Sequence, residues 1–131
     1  AVYRFANGVE ARVETSSLTC QPKPRWYVLG TEGAVVKTGL DPQEKAMIAG
    51  DIDSAIEAPE NYARLYGPEE ETIIEPIPGR WRSYYENIAD ALTGRAELAV
   101  TAQSVRQTLV AIEAARLSAA ERRVVTPSEI A

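Results

Sequence analysis

Arg25-Trp26-Tyr27-Val28-Leu29-Gly30, then Thr31-Glu32-Gly33, then Ala34-Val35-Val36-Lys37: a strand pattern, a glycine-bearing turn and a second strand pattern follow one another without a break. Strands joined by so short a connection pair antiparallel. The same arrangement precedes them. Ala1 to Phe5 reads as a strand, and Asn7-Gly8 is a strong hairpin signal because both positions tolerate positive φ. Val9 to Thr19 reads as the return strand. If Ala6 faces Val9, then Arg4 faces Ala11 and Val2 faces Val13 on one side, with Phe5–Glu10 and Tyr3–Arg12 on the other. Neither face is cleanly polar, which suits a sheet covered by helices on one face and by something else on the other.

Gln21-Pro22-Lys23-Pro24 interrupts the strands. After Lys37, Asp41-Pro42-Gln43-Glu44 has the form of a helix start: Asp41 caps, Pro42 fits the first helical position and Glu44 can complete a capping box. Gly50 ends this short helix. Residues 51–61 are acidic and irregular. Tyr62 to Tyr66 and Glu71 to Ile77 read as short strands, with Pro76 marking an edge or an end. Two helices follow. Trp81, Tyr85, Ile88 and Leu92 fall on one stripe of the first, and Gly94 stands where a C-terminal cap belongs. Thr101 caps the second, Val100 can staple onto Val105, and Val105, Leu109 and Ile112 are its expected buried stripe. Arg123-Val124-Val125 reads as a last short strand. Strands first and helices last give an α+β fold: a largely antiparallel open sheet with helices packed on one face.

The 131 residues suit one compact domain, residues 1–131. Surface scaling predicts burial of roughly two-thirds of the unfolded area, enough for a core without staples. The net charge is −5, and an acidic surface repels phosphate backbones, so nucleic acid is not expected as a partner. No apolar run approaches the ~20 residues of a bilayer span, so no membrane is expected either. The absence of histidine excludes serine–histidine and cysteine–histidine catalysis and disfavours most zinc sites. With Cys20 as the single cysteine no intrachain disulfide can form, which fits a reducing, cytoplasmic setting. The chain opens on Ala1 directly into a strand with no signal peptide, the pattern of an excised domain or a processed chain.

Several sequences that resemble functional motifs have simpler readings. Gly30-Thr31-Glu32-Gly33 has the wrong spacing for a dinucleotide fingerprint and precedes a strand, so it reads as a hairpin turn. Asp51-Ile52-Asp53 opens like a calcium loop but lacks the glycine and the terminal glutamate, leaving a solvated acidic loop. No carboxylate pair is singled out for glycoside hydrolysis. Tyr84 and Tyr85, neighbours on a helix, stand about 100° apart. One of them therefore turns away from the other's face, and Tyr84 can line a pocket or an interface. Lys37 to Glu44 is the densest polar cluster. Capping and turn formation account for Gly39, Asp41, Pro42 and Glu44 but not for Lys37 and Gln43, either of which can hydrogen-bond a hydroxylated ligand.

Three strings carry a family resemblance. Gly30 to Glu44 (GTEGAVVKTGLDPQE), Gly79 to Ala91 (GRWRSYYENIADA) and the ending, with Val100-Thr101 opening the last helix and Arg122-Arg123-Val124-Val125 closing it, resemble one branch of the glucose–fructose oxidoreductase / inositol dehydrogenase / rhizopine-catabolism (Gfo/Idh/MocA) family. The resemblance runs from Ala1 to Val125. It implies a two-domain enzyme in which an N-terminal Rossmann domain binds NAD or NADP and a C-terminal α+β domain, the part represented here, carries an open sheet. The family's sheet commonly pairs with a second subunit, and its substrates are sugars, inositols and related polyols. The glycine fingerprint, the Glu-Lys-Pro segment and the catalytic histidine motif of the family have no counterpart in these residues. The resemblance therefore assigns no catalytic, cofactor-binding or metal residue here. It sets Lys37, Asp41 and Gln43 near a substrate cleft or a subunit interface and makes the Tyr84–Asn87 match a packing helix, while Tyr84 stays a pocket or interface candidate on its helical spacing alone. The implied role is the substrate-binding and oligomerisation domain of an NAD(P)-dependent sugar or polyol dehydrogenase, inactive without its cofactor domain. The alternatives are a free-standing binding or dimerisation module and an unrelated small enzyme using carboxylates. Self-association as a homodimer or higher oligomer is expected through a partly apolar sheet face, with Val2, Val13, Trp26 and Val28 among its residues.

Overall fold

A computed structural model describes residues 1–130. The described residues form strands β1 (Val2–Arg4), β2 (Glu10–Arg12), β3 (Trp26–Leu29), β4 (Ala34–Lys37), β5 (Ala63–Tyr66) and β6 (Glu71–Ile74). The helices are α1 (Pro42–Ile48), α2 (Arg82–Leu92) and α3 (Ala102–Glu121). The class is α+β and every strand pairing is antiparallel. The strands make two sheets, β1-β2 and β3-β4-β5-β6. The chain divides into two compact units: residues 1–18 with 87–130, and residues 19–86. The boundary falls within α2.

In the first unit the β1-β2 hairpin is one residue out of the expected register. Arg4 faces Glu10, Tyr3 faces Ala11 and Val2 faces Arg12. The expected two-residue Asn7-Gly8 turn is a three-residue loop, Ala6-Asn7-Gly8, closed by Phe5 N–H to Val9 O at 2.9 Å and Gly8 N–H to Phe5 O at 3.0 Å. Only Gly8 takes positive φ there, at 86°, which is the bulged three-residue solution, not the two-residue one. The ion pair of Arg4 with Glu10 follows from this register. The return strand ends at Arg12, so Cys20 lies exposed in a loop and not at a strand end.

Thr101 caps α3 by accepting from Ser104 N–H at 3.2 Å, and the Tyr3 hydroxyl donates to the Ala111 carbonyl at 3.2 Å. Asn87 ties the α2–α3 connection: it donates to the Glu97 carbonyl and accepts from Ala99 N–H, both at 2.8 Å. The expected buried stripe of α3 is not buried, since Val105, Leu109 and Ile112 are exposed and Ala114 is the buried residue of that helix. A hairpin of three-residue strands is too small to cover a 20-residue helix. Of the α2 stripe, Trp81, Tyr85 and Leu92 are exposed and Ile88 is half-buried. The expected last strand is also absent. Arg122 ends α3 in the left-handed conformation (φ 56°). The Arg123 carbonyl accepts from Ser118, and its guanidinium pairs with Glu121 and Glu129. Those bonds commit the segment to the helix end, and Thr126 then opens a 3-10 turn over Pro127–Glu129.

In the second unit, Tyr27, Val36, Arg64 and Ile73 lie side by side on one face of the sheet, and Val28, Val35, Leu65 and Thr72 on the other. The outer strands β3 and β6 are exposed along their whole length. Strand β6 stops at Ile74, short of the expected Ile77. The acidic stretch 51–61 contains two 3-10 turns, Ile52–Ser54 and Pro59–Asn61. Among the described residues only Ala114 and Gln43 are buried. The expected core is therefore not found among the described residues.

Gly33 is required by a neighbour and not by the turn. Its φ is not positive, but a Cβ there would stand 2.5 Å from the Tyr66 carbonyl oxygen of β5. Backbone cannot move aside as a flexible side chain can. Gly33→Ala is expected to cost about 1–3 kcal/mol, read as a lowered denaturation midpoint, whereas Gly67→Ala, with no contact closer than 3.5 Å, costs less.

Candidate functional site

Helix α1 begins where β4 ends. Asp41 caps it by accepting from Gln43 N–H at 2.9 Å, and Pro42 occupies the first turn. Gly39 (φ 73°) turns the chain into that cap. Across from it, the Gly79-Arg80-Trp81 segment leads into α2. The two segments are joined by one buried side chain. Gln43, 3% exposed, accepts from Trp81 N–H through Oε1 at 2.7 Å and donates through Nε2 to both Asp41 carboxylate oxygens at 3.1 Å. The Trp81 indole N–H closes the ring by donating to Asp41 Oδ2 at 3.0 Å. Gln43 thus caps the start of α2 from a different element. Gly79 lets it in, since a Cβ there would lie 2.5 Å from Gln43 Nε2.

The Asp41 carboxyl feels opposing influences. Its burial pushes the pKa up. The N–H groups of Gln43 and Trp81, with the nearby Lys37 charge, outweigh that and hold it below its ordinary value.

Lys37 is equally committed. Its ammonium donates to the Asn61 carbonyl at 2.8 Å, the Thr38 carbonyl at 3.1 Å and the Glu57 carboxylate. Its side chain is 23% and that of Glu57 14% exposed, so this pair is more shielded than the surface pairs. The structure therefore brings Lys37, Asp41 and Gln43 together at the β4–α1 corner, each with its polar atoms engaged by the protein. Tyr84 stands one turn into α2, half exposed, its ring edge-on to Tyr85 with centroids 5.2 Å apart.

Beside the Gln43–Trp81 link the surface has an open depression lined by Ile52, Asp53, Ala55, Pro78, Gly79 and Arg80. Asp53 pairs with Arg82 at 2.7 Å. Arg80 reaches Ser83 at 3.0 Å and holds Glu86 in a two-pronged contact, one arm at 2.7 Å. That contact keeps the Glu86 carboxyl below its usual range. The sequence drew attention to Asp53 through the calcium-like opening Asp51-Ile52-Asp53 and read it as part of a solvated acidic loop, and it showed Arg80 only within the Gly79–Ala91 string.

No group of three or more histidine, cysteine, aspartate or glutamate side chains among the described residues could hold a metal ion. The space a side chain would need at Gly33 is taken by the Tyr66 carbonyl, and that at Gly79 by the Gln43 amide.

Removing the buried link strands its partners. Gln43→Ala leaves the Trp81 N–H and part of the Asp41 carboxylate unpaired, with an expected loss of about 1–3 kcal/mol in chemical denaturation. Asp41 supplies an acid signature. Its folded pKa lies below the unfolded one, so its contribution is complete above the ordinary carboxylate range and disappears as pH falls through the depressed value. The stability gap between wild type and Asp41→Asn should be constant above about pH 5 and narrow below about pH 4.

The oxidoreductase family C-terminal alpha/beta domain, GFO_IDH_MocA_C, matches residues 1–126. The chain is 33% identical over 110 residues to scyllo-inositol 2-dehydrogenase (NADP(+)) IolW of Bacillus subtilis, covering 78% of this chain and 31% of that protein. It is 35% identical over 112 residues to the oxidoreductase YdgJ of Escherichia coli, covering 80% and 32%. The solved structure of yvaA, an oxidoreductase from Bacillus subtilis, superposes with a TM-score of 0.74 at 28% identity, over 84% of this chain and 36% of that one. The chain thus spans about a third of the length of the relatives it matches. From Ala1 to Thr126 it belongs to the C-terminal domain family of the Gfo/Idh/MocA oxidoreductases.

Proposed function

We propose that these residues form the substrate-binding and oligomerisation domain of an NAD(P)-dependent sugar or polyol dehydrogenase. In this reading a separate domain of the native polypeptide holds the dinucleotide. The observation that carries it is the family match over residues 1–126, joined to the similarity with an enzyme named for scyllo-inositol and NADP(+). The β4–α1 corner supports it: a rigid, hydrogen-bonded frame beside an open depression with charged groups at its rim suits orientation of a hydroxylated substrate. The dinucleotide, when bound by its own domain, supplies the hydride chemistry. The residues of this chain bind and orient.

The same reading includes self-association. The expected face divides, since Val2 and Val13 belong to the other unit and Trp26 and Val28 are exposed on one face of β3, while Tyr27, Leu29 and Ile73 are exposed on the opposite face of the β3–β6 sheet, with the Arg64–Glu71 ion pair among them. An apolar surface crossed by one charge of each sign is self-complementary under two-fold symmetry. The proposed location is the cytoplasm, which supplies soluble nicotinamide cofactor and keeps Cys20 reduced. No helix among the described residues is long and apolar enough to cross a membrane.

The test is an assay of the native polypeptide carrying these residues. It should reduce NAD⁺ or NADP⁺ in the presence of scyllo-inositol or a related polyol and sediment as a dimer or larger, while residues 1–131 alone produce no NAD(P)H. Turnover by the 131 residues alone would refute the proposal. A native polypeptide with no nicotinamide-linked activity on any polyol would return the assignment to a binding or dimerisation module.

A further inference from the structure

We propose that Asn7 is a modification site, at which opening of the hairpin loop lets the Gly8 nitrogen close onto the Asn7 side-chain amide and convert it to aspartate and isoaspartate. The proposal stands apart from the dehydrogenase reading. Water is the one co-reactant. The Gly8 nitrogen forms a bond to Asn7 Cγ, and its proton leaves with the amide nitrogen as ammonia. Water then opens the five-membered imide at either carbonyl. Opening at the main-chain carbonyl gives isoaspartate, whose backbone runs through Cβ and Cγ, and opening at the side-chain carbonyl gives aspartate. Ring closure needs an unhindered residue after the asparagine, and glycine alone has no Cβ.

The chain has three asparagines, Asn7, Asn61 and Asn87, and the other two are followed by Tyr62 and Ile88. Asn87 is also committed through both ends of its amide, to the Glu97 carbonyl and the Ala99 N–H. Asn7 and Gly8 are both exposed. In the closed loop the reacting groups are engaged: Gly8 N–H donates to the Phe5 carbonyl at 3.0 Å, and Asn7 Oδ1 accepts from Val9 N–H at 3.2 Å. A nitrogen so held does not attack, so the reaction belongs to the open loop. Opening is cheap here, since β1 and β2 have three residues each and a two-stranded hairpin is marginal by itself. The product alters the fold. Isoaspartate lengthens the main chain of the loop by one atom, so the Phe5–Val9 closure and the register that sets Arg4 against Glu10 no longer match. Tyr3 belongs to the same ladder and holds the Ala111 carbonyl of α3, so the modification loosens the hairpin from that helix.

The test is incubation of the native polypeptide in neutral buffer, with and without urea, followed by digestion in mild acid, which halts ring closure. Mass spectrometry then reads the amide at each asparagine, and fragmentation separates isoaspartate from aspartate. In the folded protein Asn7 is expected to lose its amide about tenfold faster than Asn61 and Asn87, whose following side chains hinder closure. It should give both acids, and urea should speed it about tenfold again by opening the hairpin. Asn7→Gln, which would need a six-membered ring, should keep its amide over the same period. Loss at Asn7 no faster than at the other two overturns the site. Aspartate without isoaspartate overturns the imide route, and a rate that urea leaves unchanged overturns the control by loop opening.

Discussion

A single buried amide organises the part of this domain that faces its proposed ligand. Gln43 leaves α1 one position after the proline and joins the start of α2, nearly forty residues later in the chain, through the Trp81 N–H. A glutamine can do this because its amide both accepts and donates. The oxygen meets the exposed N–H at a helix start, and the nitrogen meets the carboxylate that caps the other helix. Neither glutamate nor leucine of similar size could satisfy both partners. Asp41 depends on the same arrangement, since its oxygens face three different donor groups. Gly79 is the steric condition for all of it.

Lys37 provides a second anchor at the same corner. Its ammonium draws the acidic 3-10 segment back onto the end of β4 through Glu57 and the Asn61 carbonyl. The acidic stretch is thus partly held by a cation and is not simply a solvated run. With Gln43 on one side and Lys37 on the other, the connection from β4 through α1 to β5 is fixed at both ends. The part of the depression lined by Ile52 and Asp53 lies between those two anchors.

Local signals in the sequence were the dependable ones. Asp41 and Thr101 cap helices because a carboxylate or hydroxyl before a helical pattern can reach N–H groups two or three residues on. Gly50 and Gly94 take positive φ at helix ends. The antiparallel pairing of β3 with β4 follows from the short glycine connection. Signals that depend on the remainder of the fold were misleading. The stripes Val105–Leu109–Ile112 and Trp81–Tyr85–Leu92 have helical period, but period says which residues share a face and not what covers it. The hairpin register turned on whether Asn7 would adopt positive φ, and both loop solutions are open to Asn-Gly. At the site, Lys37 and Gln43 were conspicuous because local capping did not explain them. Their explanation is tertiary, through Asn61 and Trp81, and no spacing rule reveals partners so far along the chain. Arg80 was hidden for the same reason.

The lack of histidine has a consequence for proton traffic. No side-chain type present has an ordinary pKa between about 5 and 8, and the carboxyl groups of Asp41, Glu86 and Glu129 are all moved further toward acid. The one lysine at the candidate site is locked to a carboxylate. The cap and ion pairs built on Asp41, Glu86 and Glu129 therefore keep their negative charge through neutral pH as conditions drift.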